Sequence, residues 1–263
     1  LFIEKPTDIF SHNDFAINFD FELVTKGKTS QELSSTNGFI GEKENLFIEE
    51  GAVVEFSTLN CKTGKIYVGK NAEIMEGSNI RGSLALCEES KINIGTKLYG
   101  GTTIGPHSKV GGEVNNIVIF GYSNKGHDGF VGNSVIGEWC NLGADTNSSN
   151  LKNNYASVKL WNYRKKRFLD TGLQFCGLIM GDHSKTAINT QLNTGTVVGV
   201  AANIFKSGFP PNLVDSFSWG GMKGDEKFKL EKSYEVAEKA MERRKIAITE
   251  MDKDILKYIY NEF

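Results

Sequence analysis

Residues 68 to 110 read VGKNAEIMEGSNIRGSLALCEESKINIGTKLYGGTTIGPHSKV, and an aliphatic side chain stands at every sixth position: Val68, Ile74, Ile80, Leu86, Ile92, Leu98, Ile104 and Val110. Neither a helix nor an ordinary strand has that period. If Val, Ile and Leu fill about one position in five, eight in one frame arise by chance on the order of once in several hundred thousand trials. The period returns at Met180, Leu192, Val198 and Ile204, with the polar Thr186 in one slot. Glycine often follows the aliphatic, as in Val68-Gly69, Ile104-Gly105, Val110-Gly111, Val131-Gly132, Ile136-Gly137, Leu142-Gly143 and Val198-Gly199.

A hexapeptide with one inward aliphatic and a small turn residue is the unit of a parallel β-helix, where each rung buries its face only against the rungs above and below. Three such units close a triangular coil. The small residue lets the backbone turn the corner, often at positive φ. A β-sandwich would space its strands irregularly. The expected fold is therefore mainly β, a β-helix over residues 46–209 interrupted by an insertion at 147–172 that carries Trp161, Tyr163 and the basic run Arg164–Arg167. Residues 1–45 lack the period and read as a connector of alternating aromatic and polar residues followed by a Ser/Thr/Gly/Lys linker. Residues 210–263 read as a helical extension: Pro210 and Pro211 end the coils, a helix runs around Phe228 to Lys245, and a second is capped by Thr249 with Asp252.

The formal net charge of −2 gives no general attraction to nucleic acid or membrane. No apolar run reaches the roughly 20 residues of a membrane span. Cys61, Cys87, Cys140 and Cys176 are far apart and form no CxxC, so they read as reduced thiols of a cytoplasmic protein. Of the four histidines, His127 lies in GYSNKGHDGFVGNSVIGEWCNLGAD and His183 in MGDHSKT. The register breaks around His127: no aliphatic stands at 116, and the frame resumes at Val131 and Ile136. A purely structural repeat has no reason to lose register there.

The stretch NKGHDGFVGNSVIGEWCNLGAD, Asn124 to Asp145, resembles the acetyltransferase domain of the bifunctional N-acetylglucosamine-1-phosphate uridyltransferase/glucosamine-1-phosphate acetyltransferase family, whose segment has Lys-Ala-Gly-His, Leu-Gly, Ile-Gly and Asn-Ile-Gly-Ala-Gly. The chain looks like the C-terminal part of a divergent bacterial branch, with residues 1–45 the remnant of a preceding nucleotidyltransferase domain. The resemblance implies a left-handed β-helix, a homotrimer, acetyl-CoA as co-substrate, an amino-sugar phosphate as acceptor and no metal. It puts the catalytic base at His127, with Glu113 to orient it. It puts substrate contacts at Asn141, Asn150 and Phe130, the last in place of a tyrosine, and the acetyl-CoA thioester beside the backbone of Ala144. The family's phosphate-binding arginine and lysine have no clean match, which leaves Lys97, Lys109 and Lys125. The missing tyrosine and basic residues also fit another reading, a non-catalytic β-helix that trimerises or regulates a sugar-1-phosphate nucleotidyltransferase. A γ-class carbonic anhydrase shares the fold but needs three zinc-binding histidines, and the chain has no His-x4-His pair.

Overall fold

The computed structural model describes residues 2–262; Leu1 and Phe263, the ends of the first and last expected segments, lie outside them. All three faces of the coil are parallel ladders. Face one stacks Ile66–Val68, Leu84–Leu86 and Thr102–Ile104, and face two Glu73–Ile74, Lys91–Ile92 and Lys109–Val110. Face three stacks Asn79–Arg81, Lys97–Tyr99 and the start of Glu113–Ile119. The eight aliphatics of the opening stretch all point inward and are at most 2% exposed. Each therefore gains its burial from the coils on either side, about 1.5–3 kcal/mol for a side chain of this size.

The glycines act differently from expectation. Those that follow the inward aliphatic do not have positive φ; a Cβ on Gly111 would lie 2.6 Å from the Gly126 carbonyl oxygen, and one on Gly143 2.4 Å from the Ala187 carbonyl carbon. They are small because the next coil passes there. Positive φ falls instead on the third residue after the aliphatic of face one: Asn71, Glu89, His107, Tyr122, Trp139, His183, Ala201 and Phe217. Four of these corner residues stack as a column, His107 on Tyr122 at 4.9 Å, Tyr122 on Trp139 at 4.2 Å and Trp139 on His183 at 6.4 Å between ring centroids.

The boundaries differ from those expected at both ends. Gly38–Ile40 already pairs with Thr58–Asn60, so stacking begins before residue 46. It also passes the prolines: Leu213–Val214 pairs with Val197–Val198, and Trp219–Gly220 with Asn203–Ile204. Pro210 and Pro211 sit in the loop between rungs, where no ladder N–H is needed. Two helices, α1 (Pro6–Ser11) and α2 (Asn13–Thr25), occupy the expected connector. Within the expected insertion Asn147–Ser148 is still a rung, and the loop beyond it folds as an antiparallel hairpin of Lys159–Asn162 and Arg167–Asp170.

The two helices and the hairpin share one cause, which is that face one is apolar on its outside as well. Phe47, Val118, Val135 and Val197 point outward there yet are at most 9% exposed. Phe10 of α1 and Val158, Leu160 and Cys176 of the insertion bury Val135 and Val197, with Trp161 and Tyr163 packed against the same cluster. α2 continues the cover, with Asn13 Nδ2 donating to the Gly101 carbonyl at 2.8 Å and Asn13 Oδ1 accepting from the Thr103 hydroxyl at 2.8 Å. Trp161 and Tyr163 thus meet their own chain. At the C-terminal end α3 (Leu230–Glu242) and α4 (Glu250–Glu262) pack Leu256 against Ala201 and Phe217, and Arg244 donates to the His107 carbonyl at 3.1 Å. Thr249 and Asp252 cap α4 reciprocally, as the sequence predicts. Among the described residues no helix is long and apolar enough to cross a membrane.

Candidate functional site

The register shift that marks His127 in the sequence has a simple geometry. Leu86 pairs with Ile104, eighteen residues on, but Ile104 pairs with Ile119, fifteen on. Two corners are tightened there: Val114 follows Val110 by four residues at the corner between faces two and three, and Ile119 follows Val114 by five, as Glu113–Ile119 runs through the corner between faces three and one as one strand with Asn116 at positive φ. Lys125 consequently pairs with Val110 on face two, and His127 falls two residues later at the corner between faces two and three.

The turn that carries His127 is held at every carbonyl. Asn93 Nδ2 donates to Gly126 O at 2.7 Å, Lys125 Nζ to His127 O at 2.6 Å, the Asp145 N–H to Asp128 O at 3.0 Å and the Glu113 N–H to Gly129 O at 3.2 Å. Gly129 is required in this turn: its φ is +112°, and a Cβ would meet the Thr146 carbonyl oxygen at 2.3 Å. The His127 side chain is exposed and makes no hydrogen bond or ion pair among the described residues. A fixed backbone thus presents an unengaged imidazole.

Two rows of residues flank it. Along face three, Glu113 lies beside Phe130, and the Phe130 N–H donates to Asn147 Oδ1 at 2.8 Å. Glu113 is next to the His127 turn, yet its carboxylate faces the other way: Oε1 accepts from the Tyr99 hydroxyl at 2.7 Å and Oε2 pairs with Lys97 Nζ at 3.4 Å. Burial and that carboxylate push the Tyr99 hydroxyl up to about 12. From here a groove of about 470 Å³ runs along face three past Lys97 and Tyr99 to Arg81 and Asn60. A larger cavity, about 710 Å³, is lined by residues of the last rungs and the loop after Trp219, and shares no residue with the groove.

The second row follows the corner itself. Asn124 pairs with Asn141, which puts Ala144 in the His127 slot one coil along; Leu142 pairs with Thr186, which puts Ile188 there in the next. The Ala144 N–H donates to nothing among the described residues, and Ile188 is 69% exposed.

Of the residues expected at the site, His127, Glu113, Lys97, Phe130 and Ala144 therefore converge on one corner and its adjoining face. Asn141 is exposed on face two, between Asn124 and Lys185. Asn150 lies at the far edge of face three, bonded to Asn133 Oδ1 at 2.7 Å, and reaches Phe130 only across Gly132. Lys125 is turned into the coil and only 2% exposed, so its ammonium is not presented to a ligand on the surface. Lys109 stands outward on face two. Sequence reading missed Tyr99, Arg81 and Ile188. Arg81 and Tyr99 are each the residue after an inward aliphatic, Ile80 and Leu98, a signal the period does carry.

Burial raises the thiols of Cys61 and Cys87 to about 11 and those of Cys140 and Cys176 to about 12, so none offers a thiolate nucleophile near neutral pH. No group of three or more His, Cys, Asp or Glu side chains among the described residues could hold a metal ion.

An exposed histidine on a rigid β-helix corner, beside a polar face and a free N–H, is a geometry suited to acyl transfer. The chain is similar to bifunctional sugar-phosphate nucleotidyltransferase/acetyltransferases. It is 32% identical over 144 residues to the bifunctional sugar-1-phosphate nucleotidylyltransferase/acetyltransferase of Sulfurisphaera tokodaii, a match covering 54% of this chain and 35% of that protein. It is 36% identical over 104 residues to the bifunctional protein GlmU of Methanocaldococcus jannaschii, covering 40% of this chain and 24% of that one. With GlmU of Methanococcus maripaludis the identity is 28% over 197 residues, covering 75% and 41%. The chain matches less than half the length of each of these relatives. No family model matches. Among solved structures, a hexapeptide transferase family protein from Anaplasma phagocytophilum is 14% identical with a TM-score of 0.35, over 86% of this chain and 88% of that one. The polySia specific acetyltransferase NeuO is 12% identical with a TM-score of 0.39, over 80% and 95%.

Proposed function

We propose that the chain is an acetyl-CoA-dependent N-acetyltransferase acting on an amino-sugar phosphate, with His127 as general base. The observation that carries this reading is the His127 turn, whose four carbonyls are all engaged while the imidazole is left open to solvent. An amine attacks a thioester only when deprotonated. An imidazole within hydrogen-bond reach takes that proton as the C–N bond forms, and then returns it to the departing thiol, a contribution of typically 10²- to 10⁴-fold. The free Ala144 N–H, one coil along in the same corner, is suited to the oxyanion of the tetrahedral intermediate. In this reading the acceptor lies on face three, its phosphate toward Lys97 and Arg81, and the acyl donor runs along the corner past Ala144 and Ile188. Asn141 and Asn150 then contact the acceptor only from neighbouring surfaces. The unpaired thiols fit a reducing compartment such as the cytoplasm.

The test is His127→Ala assayed for thiol release from acetyl-CoA with glucosamine 1-phosphate. Turnover should fall roughly 10²-fold or more with the fold unchanged. Equal turnover in both proteins refutes His127 as the base. One observation favours a second reading, a non-catalytic trimerising β-helix: the Glu113 carboxylate is engaged by Tyr99 and Lys97 rather than by the imidazole. No turnover in either protein, with no acetyl-CoA binding by calorimetry, selects that alternative.

A further inference from the structure

Lys125 occupies an inward slot of face two, where its neighbours along the column are Val110 on one coil and Leu142 on the other, at 0% and 2% exposure. A lysine there is unusual, since an ammonium taken out of water needs compensating partners. Its Nζ donates to His127 O at 2.6 Å and to Gly111 O at 2.9 Å. These acceptors belong to successive coils at the corner that carries His127. The ammonium thus ties the histidine's own peptide to the preceding coil from inside the prism, at the point where the shortened coil has lost the ordinary spacing. Burial lowers its pKa to about 8, while the nearby carboxylates of Asp128 and Asp145 work in the opposite direction. A methylene-rich filler would have satisfied packing alone. Nothing about packing calls for a charge beneath His127.

We propose that Lys125 is a positioning residue for His127, an internal clamp that fixes the turn presenting the imidazole. The proposal rests on the acyl-transfer reading for its catalytic consequence but not for its structural one. Lys125→Met keeps most of the length and the apolar stem and removes the charge; Lys125→Ala, which cannot overfill the slot, is the second variant should the first not fold. Hydrogen exchange of the peptide spanning residues 124–129 is compared with that of the flanking coils, alongside kcat and KM with acetyl-CoA and glucosamine 1-phosphate. The expected result is exchange accelerated about tenfold in that peptide alone and kcat lowered about tenfold or more with KM within about twofold, the signature of a base displaced from its working geometry. Unchanged exchange and unchanged kcat overturn the clamp. Exchange accelerated throughout the coils, with kcat falling only as folded protein is lost, also overturns it, because Lys125 is then a packing residue. Should the wild-type protein have no turnover, the acyl-transfer reading fails separately, and the exchange comparison still decides whether the ammonium holds the turn.

Discussion

His183 shows how the same residue type is spent differently at two corners two coils apart. His127 stands in water, whereas His183 ends the aromatic column, and its Nδ1 is buried without a hydrogen-bond partner. Burial pulls its pKa down to about 4, helped by Lys185 and opposed by Asp252 of α4. The neutral form is thus the one the fold prefers. Stability is complete above the unfolded pKa near 6.5 and is lost as pH falls from there toward 4, at up to about 1.4 kcal/mol per unit. Asp252, whose pKa is lowered chiefly by its bonds to Thr249, adds a loss of the same sign at more acid pH. Denaturant midpoints measured between pH 7 and pH 4 should show a shallower decline for His183→Phe, which keeps the stack without the proton. Parallel curves would mean that the imidazole stays neutral for another reason. Gly129 gives a sharper case. Gly129→Ala must leave φ +112° and displace the Thr146 carbonyl, so loss of stability by about 1 kcal/mol or more is expected in the same measurement.

At the scale of elements, Phe10 is the side chain by which α1 joins the insertion to face one. At 2% exposure, Phe10→Ala should cost about 3–5 kcal/mol in chemical denaturation. Phe19→Ser on the outer side of α2, where Phe19 is 67% exposed, should cost within about 0.5 kcal/mol. That pair of residues also explains what the sequence concealed. Phe10, Asn13, Ile17 and Phe21 have helical spacing and are buried, but Phe15, Phe19 and Leu23 repeat it on the exposed side, so the segment reads as alternating aromatics rather than as an amphipathic helix. The coils themselves were legible because each rung repeats one local instruction, and the caps of α4 because Thr249 and Asp252 are three apart. The site was legible only in part. His127 stood out through its broken register, but Lys125 was read as surface because the frame shift that turns it inward arises four residues after Val110, at a corner with no signal of its own. Ala144 and Ile188 share the His127 slot only once the coil pairing is known, and no spacing in the chain announces that.

For the whole molecule, the cover on face one limits how copies can meet. With that face occupied by α1, α2 and the hairpin, prisms packing side by side must use faces two and three, whose shared corner carries His127 and the exposed Ile94 and Ile188, at 70% and 69%. A homotrimer formed in this way should become monomeric in the double variant Ile94→Asp, Ile188→Asp, as read by light scattering; a wild-type monomer at micromolar concentration would refute the trimer itself. The inward column of face two has a consequence of another kind. Its aliphatic run from Val54 to Val110 stops at Lys125, resumes at Leu142, and is broken again by Thr186, whose hydroxyl pairs with that of Thr146 at 2.8 Å. In a stack held together by nearest neighbours, such a slot joins its two blocks through hydrogen bonds instead of aliphatic contact. Denaturant should therefore part the two blocks there first, and Lys125→Met, which cannot make those bonds, should not raise the midpoint of that step.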